Sequence, residues 1–101
     1  MTRFLITYHG YPYPDMDTIA SQRREFRVWA EKTFGPAMVD FGAPLFDAGQ
    51  VSTAGPPLPP VEIDGYTIIE ARSVSEVRAL LDGHPFLALG GTIQINECLE
   101  V

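Results

Sequence analysis

The chain has 101 residues, 46% hydrophobic and 20% charged, the size and composition of one globular domain rather than a disordered segment. Its net charge of −6 and the lack of any basic run longer than Arg23-Arg24 exclude nucleic acid as an expected partner, because a polyanion is repelled. No apolar run approaches the ~20 residues of a membrane span, Phe4-Leu5-Ile6 is too short for a signal peptide, and the single Cys98 cannot close an intrachain disulfide, so a cytoplasmic protein without membrane contact is expected.

In chain order, Arg3 to His9 is rich in strand formers and stops at Gly10, so it is read as the first strand. A rigid aromatic loop, Tyr11-Pro12-Tyr13-Pro14-Asp15, follows, and Asp17 or Thr18 offers an N-cap for a helix running to about Phe34. Gly35-Pro36 stops it. Ile19, Phe26, Trp29, Ala30 and Thr33 form its apolar stripe, and Gln22 and Arg23 lie inside that stripe. Arg23 either runs its stem along the apolar surface or faces a cleft, where its guanidinium would hold an anionic group.

Ala37 to Phe41 is read as a second short strand in which Asp40 interrupts an apolar run, and a carboxylate there must be paired, edge-exposed or functional. Gln50 to Thr53 is expected to continue this strand after a bulge. Ala54 to Pro60 carries four prolines, which donate no sheet hydrogen bonds, and is read as a stiff exposed loop. Tyr66 to Ala71 is the third strand. Ser73 and Glu76 then form a capping box, Val77, Leu80 and Leu81 an apolar stripe, and Gly83 a helix stop. The last strand, Thr92 to Asn96, alternates cleanly. Cys98, in this last strand pattern, is read as a packed core thiol.

This β-α-β-β-α-β order predicts an α+β fold, a ferredoxin-like sandwich with both helices on one face of a four-stranded antiparallel sheet. The other face would expose the alternate residues of Phe4-Leu5-Ile6, Met38-Val39 and Ile68-Ile69, so a homodimer with two sheets face to face is expected, as in dimeric α+β barrels.

Tyr8-His9-Gly10, Trp29, Met38 to Leu45, Val51-Ser52, Gly65 to Ala71, Gly83 to Leu87 and Gly90 to Ile95 together resemble the YCII-related (DGPF-like) family over nearly the whole chain. The resemblance implies a small dimeric α+β barrel, a fold whose members are mostly of unknown function. It also implies a His–Asp pair in some members, with the histidine on the first helix and the aspartate near the second strand. Asp40 matches the aspartate's region, whereas the first helix reads Arg23-Arg24-Glu25-Phe26-Arg27 and has no histidine.

The two histidines are His9 and His84. His9, at a strand end beside the aromatic loop, is either a polar terminus or a general base paired with Asp40. His84 follows a helix end, where the dipole favours an imidazolium, and precedes Pro85; it is read as a structural corner that also borders the ligand site. Two distant histidines and one cysteine make no zinc set, and Gly90-Gly91 leads into a strand, so no metal or cofactor is expected.

Two functions remain open. The first is a non-catalytic dimer that binds a small ligand or an accessory partner, in an aromatic cleft lined by Tyr8, Tyr11, Arg23, Trp29, Phe41 and His84 or through the rigid proline loop. The second is a cofactor-independent lyase or isomerase acting on a small aromatic or carbonyl compound, with His9 and Asp40 moving protons.

Overall fold

The computed structural model describes residues 1–11 and 15–101. Pro12, Tyr13 and Pro14, the centre of the expected aromatic loop, lie outside the described residues. The elements run β1 (Thr2–His9), α1 (Met16–Thr33), a 3-10 turn (Gly35–Ala37), β2 (Met38–Asp40), β3 (Gly65–Ala71), α2 (Val74–Leu80), α3 (Pro85–Ala88) and β4 (Thr92–Glu97). The four strands form one antiparallel sheet in the order β2-β3-β1-β4, the α+β, ferredoxin-like arrangement that the element order predicts. Among the described residues no helix is long and apolar enough to cross a membrane.

Register decides which side chains meet. Phe4, Ile6 and Tyr8 of β1 stand opposite Ile69, Thr67 and Gly65 of β3. All six are buried, and with Ala71 they form the sheet's inner surface. Ala30 and Phe34 from α1 and Val77 and Leu81 at α2 close the core above it. The period-2 alternation of both strands therefore lays every second residue against the helices.

The caps are made by short side chains, as their type requires. Asp15, rather than Asp17 or Thr18, caps α1: its carboxylate accepts from the Thr18 amide at 2.8 Å. Ser73 Oγ accepts from the Glu76 amide at 3.2 Å, while Glu76 reaches back to the Arg72 amide at 3.4 Å, one residue before the cap. Gly83, with φ at +76°, ends the α2 corner in the left-handed region that favours glycine.

Three local expectations change. Gln50 to Thr53 forms no strand, because the chain after Pro44 leaves the sheet; only an isolated bridge from Pro44 to Gly65 extends the β2 edge. Cys98 is exposed, because β4 is an edge strand that ends at Glu97 and none of the described residues covers the position beyond it. The open face of the sheet is more polar than expected. Leu5 and Ile68 there are only half-exposed, and they sit among Gln94, Asn96 and an Arg3–Glu70 ion pair of 3.2 Å.

Candidate functional site

A cleft of about 310 Å³ opens between α1, the end of the sheet and α3. Its walls are aromatic. Tyr8 enters from β1, Phe26 from α1 and Phe86 from α3, with the Tyr8 and Phe86 rings 5.2 Å apart and the Tyr8 and Phe26 rings edge-to-face at 5.9 Å. Tyr11 lies edge-on to Phe86 at 6.1 Å. Its amide donates to Asp64 Oδ2 at 3.0 Å and its hydroxyl accepts from Gln22 Nε2 at 3.1 Å. Arg23, Glu25 and Asp64 bring charge of both signs to the rim.

The floor is a directed hydrogen-bond chain. The Phe86 amide donates to His84 Nδ1 at 3.0 Å, so the ring's proton lies on Nε2, which faces the Tyr8 hydroxyl at 3.2 Å. Tyr8 then donates to Thr67 Oγ1 at 2.8 Å, and Thr67 donates to the Phe41 carbonyl at 3.0 Å. Proton positions thus follow from a single backbone amide.

Burial sets the charge states. His84 is 2% exposed, and desolvation pushes its pKa down to about 4. It is therefore neutral near pH 7, which corrects the expected imidazolium: the residue caps α3 instead of completing the end of α2, and it lies under Phe26 and Trp29 with ring centroids 4.8 and 4.6 Å away. Burial pushes the Tyr8 hydroxyl up to about 12, partly offset by its bond to Thr67 and the Arg23 charge. Near pH 7 His84 takes up no second proton and Tyr8 releases none, a poor setting for general acid–base chemistry.

The depressed His84 value makes a pH prediction. Below its ordinary pKa of 6.5 the unfolded chain takes up a proton that the folded chain refuses until about pH 4, so stability is complete above that window and is lost as pH falls through it. Unfolding in urea should show a loss of about 2 kcal/mol between pH 7 and 5. Imidazole NMR should find His84 unprotonated at pH 5; a His84 that titrates at its ordinary value would remove the effect.

The remaining candidate residues are dispersed. His9 Nδ1 bonds the Glu62 carbonyl and Nε2 the Thr7 hydroxyl, both at 2.8 Å. Asp40 accepts from the Gly42 amide at 2.9 Å and from the Tyr66 hydroxyl at 3.2 Å. The two stand on β1 and β2 with β3 between them, so two strand spacings, roughly 10 Å, separate their backbones at the least. Trp29 and Phe41 stand behind the cleft wall, Phe41 packing on Phe26 at 4.8 Å. Arg23 lies 4.7 Å over the Phe41 ring and donates to the Gly42 carbonyl at 3.1 Å.

Sequence reasoning missed Phe26 and Phe86 as walls, and Asp64 and Tyr66 as rim. Gln22 and Arg23 inside the apolar stripe were the local signs that this turn of α1 faces something other than core.

The chain matches no protein-family model and no curated protein. Among solved structures it is similar to 5-chloro-2-hydroxyhydroquinone dehydrochlorinase (TftG) from Burkholderia phenoliruptrix AC1100, in complex with 2,5-dihydroxybenzoquinone, with a TM-score of 0.55 and 19% identity over 91% of this chain and 90% of that chain. The likeness shows the fold. It extends over nearly the whole of both chains, as the α+β, ferredoxin-like topology requires.

Proposed function

We propose that this protein binds a small planar hydroxylated ring, of the quinone or hydroquinone class, in the Tyr8–Phe86 cleft, and that it works as a homodimer related to the YCII-like proteins. The observation that carries the reading is the cleft itself: aromatic walls around a directed polar floor, in a volume of about 310 Å³, at the small end of the ~300–1,000 Å³ range of ligand sites. Such a volume suits one ring. Tyr8 Oη donates to Thr67 and accepts from His84 Nε2, which leaves its second lone pair for a ligand hydroxyl. Opposite charges at the rim, Arg23 against Glu25 and Asp64, suit a neutral polar ligand better than an anion. A quinone ligand in a protein of the same fold supports the class.

Binding without turnover is the reading that the neutral, hydrogen-bonded His84–Tyr8 pair supports. His9 and Asp40 serve to hold loops, through Glu62 and Gly42, in this proposal. One observation favours a lyase or isomerase instead: Asp40 holds the hydroxyl of Tyr66, which lines the cleft.

Calorimetry with 2,5-dihydroxybenzoquinone and hydroquinones should show saturable binding that aliphatic diols of equal size lack. Tyr8→Phe should weaken it by roughly fivefold, the worth of one neutral hydrogen bond, and His9→Ala should leave it unchanged. Absence of binding by every ring compound ends the reading. Conversion of the bound ring, lost in Asp40→Asn, would establish the catalytic one.

A further inference from the structure

A hydroquinone brings hydroxyls that can donate, whereas a quinone of the same outline brings carbonyls that only accept. Which of them the cleft floor takes depends on where the floor's own protons point. Their directions are fixed from both ends. At one end the Phe86 amide donates to His84 Nδ1 at 3.0 Å, so the imidazole proton lies on Nε2, 3.2 Å from Tyr8 Oη. At the other end the Phe41 carbonyl can only accept, so the Thr67 hydroxyl directs its proton there, at 3.0 Å, and meets Tyr8 Oη at 2.8 Å with a lone pair. Tyr8 thus stands between a donor and an acceptor. Its proton goes to Thr67, and the side it keeps for a ligand is a lone pair.

Reversing the chain breaks a buried bond. Thr67 is 0% exposed and His84 2%, and among the described residues no buried side-chain nitrogen or oxygen lacks a partner. If Tyr8 turned its proton to a ligand carbonyl, Tyr8 and Thr67 would face each other lone pair to lone pair. If Thr67 then turned its proton to Tyr8, the Phe41 carbonyl would lose its donor. Either loss leaves a buried group unsatisfied, which lowers affinity by roughly tenfold. Tyr66, also on the cleft, likewise commits its proton, to Asp40 Oδ2 at 3.2 Å. Donors stand on the opposite wall, where α1 contributes Arg23 and Gln22 beside Tyr11, so a carbonyl is served there and not on the floor.

We propose that the cleft takes a ring hydroxyl on its floor and refuses a ring carbonyl there, and that Thr67, which stands behind Tyr8 and outside the cleft lining, is the positioning residue that sets this preference. A 1,4-quinone presents a carbonyl at either end and fails in both orientations, whereas the matching hydroquinone fits in both. The site is therefore one for the reduced, proton-donating ring. This inference deepens the ligand reading and rests on it.

NMR titration with phenol and 4-pyranone tests it, because both are single planar rings and only phenol donates. The native chain should bind phenol roughly tenfold more tightly. Thr67→Val keeps the side chain's shape but removes the acceptor of the Tyr8 proton, which then turns to the cleft, so this variant should bind 4-pyranone at least as tightly as phenol. Thr67→Ser should keep the native preference. Tyr8→Phe, which leaves Thr67 in place, should lose it. Imidazole nitrogen shifts should find the His84 proton on Nε2, and a proton on Nδ1 would reverse the chain and overturn the proposal. Equal binding of the two rings by the native chain overturns it while the ligand reading stands, and so does a native preference that survives in folded Thr67→Val or in Tyr8→Phe. Failure of every ring compound to bind ends the ligand reading as well.

Discussion

Replacing Gly42 with alanine should remove a large part of the protein's stability. Gly42 has φ at +82°, and a Cβ built on it lands on the Tyr66 carbonyl oxygen of β3. The obstacle is backbone, which has no rotamer to swing aside. Tyr66 belongs to a strand paired on both sides, with β1 and with β2, so β3 cannot retreat without breaking ladder bonds. The left-handed conformation alone costs a side chain about 1–2 kcal/mol, and the clash raises the total above ~4 kcal/mol. A domain of this size has about 5–15 kcal/mol in all. Thermal unfolding followed by circular dichroism should show a Tm lower by roughly 16 °C or more. A drop of only a few degrees would mean that the loop shifts and the close approach is not required.

Phe26→Ala should damage both stability and binding. The Phe26 ring packs at 4.8 Å on Phe41 and on His84 and at 5.9 Å on Tyr8, so one side chain joins α1 to the hydrogen-bonded floor. Removing a fully buried phenylalanine costs about 3–5 kcal/mol. Phe26 is half-buried, which places its loss nearer 2–3 kcal/mol on the same scale. Because it also forms a cleft wall, ring ligands should bind Phe26→Ala more weakly even where the variant is fully folded, and Phe26→Leu should restore most of the stability but less of the affinity. Denaturant unfolding and calorimetry on both variants separate the two effects. Equal affinity in Phe26→Ala and the native chain would take Phe26 out of the ligand site.

The His84 corner shows how far local signals reach. Gly83-His84-Pro85 reads from sequence as a turn after a helix, and it is one. What the turn does to the imidazole depends on Phe26 and Trp29, more than fifty residues earlier, which bury the ring and keep it neutral. The expected imidazolium followed from the end of α2 alone. The actual partner is the Phe86 amide at the start of α3, a four-residue helix too short to announce itself by periodicity.

The four strands, the two longer helices and their order were determined by the sequence alone, because period, caps and stop residues act within a few positions of one another: Ser73 with Glu76, Gly83 after Leu81, and alternation from Gly65 to Ala71. That order implied the α+β, ferredoxin-like sheet, since few topologies accept it. Only the tertiary structure decided which aromatic rings line a cleft, which histidine is buried, and that β3 stands between His9 and Asp40. It also decided that the chain after Pro44 leaves the sheet, where Gln50 to Thr53 was expected to continue the second strand. Those outcomes depend on strand register and on contacts between residues far apart in the chain, and they depend on which apolar surface finds cover within one protomer. Patterns a few residues long carry no record of either.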